Sequence, residues 1–177
     1  DSLNPIAGKP QDIYGQFFAV ELSLDRDWAR FRTSFMYSSG DDDVSDGVAE
    51  GFDSIMENVN FAGGEFSFWQ RQAIQLFGVR LVNDRSLIPD LRSSRVQGQT
   101  NFVNPGLFLF NLGLDMDLTP KFKVISNANL LWFDDTEVLE HFTFQGNIDD
   151  MIGADLSIGF EWRPLLNDNV EIIGGVA

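Results

Sequence analysis

The stretch 106–133 constrains the fold of this chain more than any other. In its first arm the even positions are apolar, and the odd positions carry small or polar side chains. After Thr119 and Pro120 the alternation resumes over a second arm of similar length. A period of two is typical of a strand with two different faces, and two such arms around a short proline-containing turn indicate a hairpin. We therefore predict strands at 106–118 and 121–133.

The length of these arms favours strands that cross a membrane. Each arm has about 12 residues, against about 5 to 6 in a soluble sheet and about 9 to 11 for a strand that spans a bilayer. The register that we expect sets Asp117 opposite Lys121 and Asp115 opposite Lys123. A face with such ion pairs suits a water-filled lumen better than a dry core.

Two further hairpins follow the same plan. The alternation predicts strands at 16–25 and 28–38, joined by a turn at 26–27, and strands at 151–163 and 169–177. The predicted fold class is therefore all-β: an antiparallel transmembrane β-barrel, or a segment of a larger one. It has about six long strands, arranged as three hairpins within a single domain.

The connections between the predicted strands alternate between short and long. The turns within each hairpin are short, whereas 39–104 and 134–150 are long excursions. Bacterial outer-membrane barrels have this asymmetry, with short periplasmic turns and long extracellular loops. Within the longer excursion, 66–82 has apolar side chains at helical spacing and predicts a helix. Two placements stay open for it: an inward constriction or plug, or an outer loop that packs on its own aromatic side chains.

Charged side chains are expected on the polar face of the predicted strands. On the first hairpin we expect Glu21 to meet Arg30 or Arg32. Together the charges would form a mixed lining that orients polar or anionic solutes, or they would only neutralise one another inside the barrel. The predicted pore-lining residues are Glu21, Arg30, Arg32, Asp115, Asp117, Lys121, Lys123, Asp155, Glu161 and Arg163.

An acidic loop follows the second predicted strand. Its carboxylates include Asp41, Asp42, Asp43 and Asp46, which are oxygen donors of the kind that Ca²⁺ and Mg²⁺ prefer. The spacing departs from that of an EF-hand, because Val44 stands where a ligand is needed. Two interpretations stay open: a solvated loop tip, or a divalent-cation site that bridges the protein to lipopolysaccharide. We expect no other cofactor.

Composition excludes several classes of function. The net charge of −15 argues against nucleic-acid binding, which relies on basic residues to neutralise phosphate. The chain has no cysteine, so disulfides and thiolate chemistry are excluded. His141 is the only histidine and no nucleophile-elbow sequence is present, so we do not expect an enzyme. No run of about 18 apolar residues occurs, which excludes a membrane-spanning helix but not alternating barrel strands.

Three runs of sequence carry a resemblance to a known class of proteins. They are DRSLIPDLRSS at 84–94, QTNFVNPGLFLFNLGLD at 99–115 and FEWRP at 160–164. In strand style and loop sequence the chain resembles Gram-negative outer-membrane proteins of the alginate-export or porin-like type. The resemblance implies a large barrel for passive export or uptake in the outer membrane, with lipid and lipopolysaccharide as partners. Since the smallest single-chain barrels have about eight strands, we expect further strands or other copies to complete this one.

The sequence as a whole predicts a porin-like channel for the passive passage of small polar or anionic solutes, with saccharides among the candidates. Selectivity would come from the width and charge of the pore. One alternative is a soluble β-barrel or sandwich that binds a ligand. Another is an outer-membrane barrel that scaffolds surface proteins through its loops. The apolar faces distinguish the soluble module, because there they would point into one dry core.

Overall fold

The structure is a computed structural model, and it describes residues 2–3, 10–52, 61–71, 102–165 and 170–177. Within these ranges the protein is mostly β with little helix. The strands are β1 (Ser2–Leu3), β2 (Pro10–Ile13), β3 (Phe17–Arg26), β4 (Ala29–Ser38), β5 (Val48–Ala49), β6 (Leu107–Thr119), β7 (Phe122–Trp132), β8 (Met151–Trp162) and β9 (Ile172–Val176). The helices are a 3-10 turn (Gly64–Phe66), α1 (Phe68–Arg71) and α2 (Glu137–Thr143).

Six strands form one antiparallel sheet in the order β3-β4-β6-β7-β8-β9. Each strand pairs with the next sheet strand along the chain, so the sheet is a meander of hairpins. The prediction of an antiparallel all-β fold with six sheet strands is confirmed. The sheet is open, with β3 and β9 at its edges, and its closure into a barrel stays a prediction. A separate small sheet joins β1, β2 and β5.

The unbroken alternation in the sequence explains the length of the sheet strands. β3 and β4 have 10 residues each, β7 has 11, β8 has 12 and β6 has 13. The bounds of these five strands agree with the predicted ones to within one residue. β9 has 5 residues and begins at Ile172, so it covers only part of the predicted strand at 169–177.

The turn of the first hairpin lies one residue later than the sequence predicts. Arg26 pairs with Ala29, so the turn consists of Asp27 and Trp28 rather than 26–27. Asp27 has a φ of 50°, in the left-handed region that aspartate tolerates better than most residues. Moving a two-residue turn by one position shifts the register of the hairpin by two residues.

The shifted register changes the partners on the polar face. Glu21 lies opposite Ser34, whose hydroxyl donates a 2.7 Å hydrogen bond to Glu21 Oε2. The predicted contact between Glu21 and Arg30 or Arg32 is therefore wrong. Arg30 lies opposite Asp25, and the side chain of Arg32 reaches across to β6.

The turn of the second hairpin consists of Pro120 and Lys121, between the paired residues Thr119 and Phe122. Proline suits the first of these positions because its ring fixes φ near the value that a turn needs and it has no N–H to pair in a strand. Lys121 is therefore a turn residue and not part of the polar face. The prediction that Lys121 lies on that face is wrong.

The register of this hairpin also differs from the predicted one. Asp117 lies opposite Lys123 instead of Lys121, and Asp115, expected opposite Lys123, lies opposite Ile125. The pairing is irregular beyond Asp117, which accommodates the position of the turn. Both predicted cross-strand charge pairs are therefore wrong: Asp117 faces Lys123 instead, and Asp115 pairs with Arg32 of β4.

Short helical turns take the place of the predicted long helix at its beginning. The 3-10 turn and α1 are separated by Ser67, which has an extended backbone. The prediction of a continuous helix from residue 66 is therefore wrong at this point. The rest of that helix, 72–82, and the run 84–94 of the family resemblance lie outside the described residues.

Two clusters of buried apolar side chains lie near the end of the sheet where the long connections emerge, which we call the loop end. The opposite end, with the short turns, is the turn end. One cluster joins the sheet to residues 61–71, and the other joins loop segments to one another. The first contains Met36, Ala62, Trp69, Leu107, Leu109 and Leu131, and the second contains Val44, Ala49, Val103 and Val138.

Candidate functional site

The two faces of the sheet are inverted relative to those of a soluble sheet, which buries apolar and exposes polar side chains. Leu112 and Leu156 are 55% and 69% exposed, whereas Asn111 and Asn129 are fully buried and Asp155 is 7% exposed. We call the two surfaces the apolar face and the polar face. The apolar face includes Phe18, Val20, Leu22, Leu24, Phe31, Phe35, Phe110, Leu112, Leu130, Leu156, Ile158 and Val176.

Aromatic side chains form two levels across the apolar face. Cross-strand pairing aligns Phe18, Tyr37, Phe108 and Trp132 in one row at the loop end. At the turn end a second level contains Trp28, Phe122, Phe160 and Trp162. Two rings pack together in each level: Tyr37 and Phe108 are tilted with centroids 4.8 Å apart, and Phe122 and Phe160 are stacked with centroids 5.8 Å apart. Mainly aliphatic side chains lie between the levels.

Arg32 is the centre of a buried network on the polar face. Its Nη2 lies 2.7 Å from Asp115 Oδ1 and 2.8 Å from Asn127 Oδ1, and its Nε donates to Asp115 Oδ2 at 3.1 Å. The side chains of Arg32 and Asp115 are 11% and 10% exposed. Asn127 Nδ2 continues the network to Ser157 Oγ at 3.3 Å. These bonds connect β4, β6, β7 and β8, and the two-point contact to the carboxylate gives the ion pair a fixed geometry.

A second network lies closer to the loop end. Asn111 Nδ2 donates to Asn129 Oδ1 at 2.6 Å, and Asn129 Nδ2 donates to Asp155 Oδ2 at 3.1 Å. Asn111 Oδ1 and Asp155 Oδ1 are buried without a hydrogen-bond partner among the residues that the structure describes. Buried polar atoms usually have partners, so this part of the polar face has acceptors to spare.

Residues 61–71, which we call the inner segment, lie on the polar face. Asn129 Nδ2 donates to Ser67 Oγ at 3.2 Å, and the backbone N–H of Trp69 donates to Asp155 Oδ2 at 3.2 Å. Trp69 is 2% exposed, and its Nε1 donates to the carbonyl of Ala62 at 3.1 Å. Residues 66–71 of the predicted helix therefore lie against the polar face, and 72–82 fall outside the described residues.

Two glycines of the sheet make room for a ring of the inner segment. A Cβ atom at Gly159 would lie 2.2 Å from the ring of Phe66, and one at Gly175 would lie 2.8 Å from it. Both distances are shorter than carbon atoms tolerate. The ring therefore packs on bare backbone of β8 and β9.

The loops at the loop end form a layer that we call the loop cap, built from 39–52, 102–106 and 133–140. Asp134 holds parts of it together, because its Oδ2 accepts hydrogen bonds from the N–H of Gly40 at 2.8 Å and from Tyr37 Oη at 3.3 Å. A pocket of about 260 Å³ opens beside Asp134 and is also lined by Asp42, Glu50 and Asp135. Burial and the neighbouring carboxylates raise the pKa of Glu50 and Asp135.

The carboxylates of the predicted cation site have different surroundings. Asp41 is 1% exposed, and burial, with a smaller contribution from Asp46 and Asp42, raises its pKa to about 7. Asp43 is exposed, and hydrogen bonds from Ser45 lower its pKa. Among the described residues no group of three or more such side chains is arranged to hold a metal ion. Binding of Ca²⁺ or Mg²⁺ stays a prediction without a preformed site.

The predicted pore-lining residues separate into buried and accessible ones. Arg32, Asp115 and Asp155 are buried in the networks described above. Most of the accessible ones on the strands lie toward the turn end: Arg30, which pairs with Asp25, and Asp117, Lys123 and Glu161. Glu21 is also exposed, but it lies nearer the loop end, at the level of Ser34 and Asn111.

Two further predicted lining residues lie at the turn end outside the strands. Lys121 Nζ donates to the carbonyl of Pro164 at 2.8 Å. Arg163 pairs with Glu171, with Nη2 and Oε1 2.8 Å apart. Both side chains hold the turn end together.

Several residues of the two networks are not among the predicted pore-lining residues, because those were chosen for their charge. Asn111, Asn127, Asn129 and Ser157 complete the two networks, and none of them is charged. Their signal in the sequence was their position on the polar side of the alternation. The contact of Trp69 with this face left no such signal, because the residue lies far from the sheet strands in the sequence.

Comparison with known proteins gives no match to a protein-family model, a curated protein or a solved structure, so the family resemblance stays a prediction. In the part of the chain that the structure describes, no helix is long and apolar enough to cross a membrane. The function is therefore inferred from the two faces of the sheet.

Proposed function

We propose that this chain forms part of a porin-like channel in the outer membrane of a Gram-negative bacterium, through which small polar solutes pass passively. The inverted sheet carries the proposal, since its apolar side chains face outward and its polar side chains face the inner segment. Removing apolar surface from water is favourable by about 25 cal/mol per Å². Lipid would cover the apolar face and supply this free energy.

The spacing of the two aromatic levels matches the thickness of an outer membrane. Ten residues of β7 separate Trp132 in one level from Phe122 in the other. At about 3.3 Å per residue this is about 33 Å along the strand, and a tilt of about 40° reduces it to about 25 Å across the bilayer. The apolar band of outer-membrane barrels is about 25 Å tall and is flanked by aromatic residues in the same way.

The polar face supports a passage for water and polar solutes. Its charges have both signs, and the most buried pair, Arg32 and Asp115, is internally satisfied. Mixed, largely paired charge favours polar solutes such as saccharides, and anionic solutes stay among the candidates. A passage requires a closed wall, which further strands of a longer chain or other copies of this chain would complete.

The soluble binding module fits the observations less well. Such a module would bury the apolar face in a core and leave the charges on the outer surface. Here Leu112 and Leu156 are exposed, while Arg32, Asp115 and Asp155 are covered. We therefore do not propose it as a second function.

Insertion into a membrane is the first test. The full chain is refolded into vesicles that contain some brominated lipid, and quenching of tryptophan fluorescence by the bromines is measured. Trp28, Trp132 and Trp162 lie at the levels of the apolar face, so we expect strong quenching by bromines close to the headgroups and weaker quenching by bromines at the bilayer centre. A Trp69→Phe variant removes the fluorescence of the indole on the polar face.

The second measurement is channel activity. Protein in planar bilayers is expected to give discrete conductance steps and heat-modifiable migration on a gel. A chain that stays soluble and monomeric without detergent, and that shows no quenching by brominated lipid, would overturn the proposal.

A further inference from the structure

The inner segment lies on the polar face, so a solute that moves along that side of the sheet must pass it. We propose that the inner segment is a fixed constriction of the passage, and that Phe68 is the side chain with which it meets the solute. The inference rests on the proposed channel function. It adds the residues that set the width of the passage and the manner in which they are held.

The first anchor of the inner segment is Trp69. Near the loop end, the polar face contains a patch of apolar side chains. Met36, Leu109 and Leu131 form one cross-strand row in this patch. Trp69 packs into this patch with only 2% of its surface exposed. An indole ring buries a large apolar area, so its removal from the patch would be costly.

The second anchor is Phe66, which is 8% exposed. Its ring lies on Gly159 and Gly175, at positions where any added side chain would collide with it. The two anchors lie on different strands and on either side of Ser67. A segment held at two such points has little freedom to swing away from the sheet.

Hydrogen bonds add to the two anchors. Ser67 is fully buried, accepts a bond from Asn129 Nδ2 and donates one to the carbonyl of Ala62 at 2.7 Å. The N–H of Trp69 donates to Asp155 Oδ2. Since breaking these contacts would leave buried polar groups without partners, the inner segment behaves as a part of the wall.

Phe68 differs from its neighbours. Ser67 and Trp69 are buried against the sheet, whereas Phe68 is 47% exposed. The segment therefore covers Asn129 and Asp155, removes them from the passage, and presents an aromatic ring in their place. An apolar ring at a constriction favours neutral solutes with an apolar surface over small hydrated ions.

The test compares the single-channel conductance of the wild-type chain with that of Phe68→Ala. Phe68 is half exposed, so this change leaves both anchors in place and the fold intact. We expect the conductance to rise above that of the wild type, because the passage widens at its constriction. The matched control is Phe144→Ala, at a 94% exposed loop position, which should leave the conductance unchanged.

A second measurement tests the position of the inner segment without using conductance. The chain has no cysteine, so Ser67→Cys with Asn129→Cys introduces a single pair of thiols. We expect oxidation to cross-link the two thiols of this variant as an intramolecular disulfide in vesicles, whereas Ser67→Cys alone cannot form one. For a fixed constriction, the cross-link should also leave the conductance of the double variant unchanged.

The outcomes separate the two proposals. If no variant gives channels and the wild-type chain gives none, the channel function fails. If channels form and Phe68→Ala conducts like the wild type, the constriction fails. Absence of the cross-link, or a large change in conductance when it forms, would show that the segment lies elsewhere or moves, and would also overturn the inference.

Discussion

Replacing Leu156 by arginine tests the environment of the apolar face. Leu156 lies in the middle of β8, between the two aromatic levels, and is 69% exposed. In water such a position tolerates arginine, because a largely exposed side chain loses little when it is exchanged. At the middle of a bilayer, an arginine on the lipid face of a barrel lowers the free energy of unfolding by about 2 to 4 kcal/mol. That range corresponds to about a 30-fold to 700-fold change in the folding equilibrium.

The assay is reversible unfolding in vesicles, with urea as denaturant and tryptophan fluorescence as signal. Phe144→Arg is the control, because its side chain lies in a loop and is 94% exposed. We expect Leu156→Arg to lose about 2 to 4 kcal/mol and the control less than about 1 kcal/mol. Equal stability of both variants and the wild type would refute the assignment of this face to lipid.

Three further predictions concern charge and backbone. Burial raises the pKa of Asp41 to about 7 in the folded chain, against an ordinary value of 3.8. The folded state therefore holds this proton more tightly than the unfolded state. The resulting stabilisation is present below about pH 4 and is lost as the pH rises to about 7. Asp41→Asn should remove this loss, roughly 2 to 4 kcal/mol, and amide hydrogen exchange of the loop cap should then depend less on pH than in the wild type. Arg32→Met leaves Asp115 buried without its partner and should lower the free energy of unfolding by about 3 to 5 kcal/mol, against less than about 1 kcal/mol for Arg30→Met in an exposed pair. Gly106→Ala should destabilise the loop cap, as measured by limited proteolysis, because Gly106 has a φ of 62° and its Cβ would lie 2.4 Å from the backbone nitrogen of Gly40.

The strands could be predicted from the sequence because each of them has two faces of opposite character. The alternation around Leu112 and Leu156 fixes which side chains share a face, whatever the register of the hairpins. The register was harder to predict, since it depends on single turn residues. Asp27 takes a left-handed conformation and Pro120 takes the first turn position, and each of these moves the pairing by two residues.

The inner segment could not be predicted from local pattern. Its contacts join Trp69 to residues more than 80 positions away in the sequence, such as Asp155. Neither periodicity nor charge carries information about such a pairing. The two glycines that receive Phe66 are visible in the sequence, but glycine in a strand indicates a close approach of some group without naming it.

The inverted sheet also has a consequence for the way in which the protein reaches its folded state. In water the chain gains little by collapsing into this form, because the collapse would leave its leucine and phenylalanine side chains outside. Among the described strands, β3 and β9 form the edges of the sheet, and such edges are prone to join other chains. If the apolar face meets lipid as proposed, newly made protein would aggregate unless a binding partner shields it first. We therefore expect biogenesis of this chain to need a chaperone that holds it unfolded, and overproduction without one to give inclusion bodies.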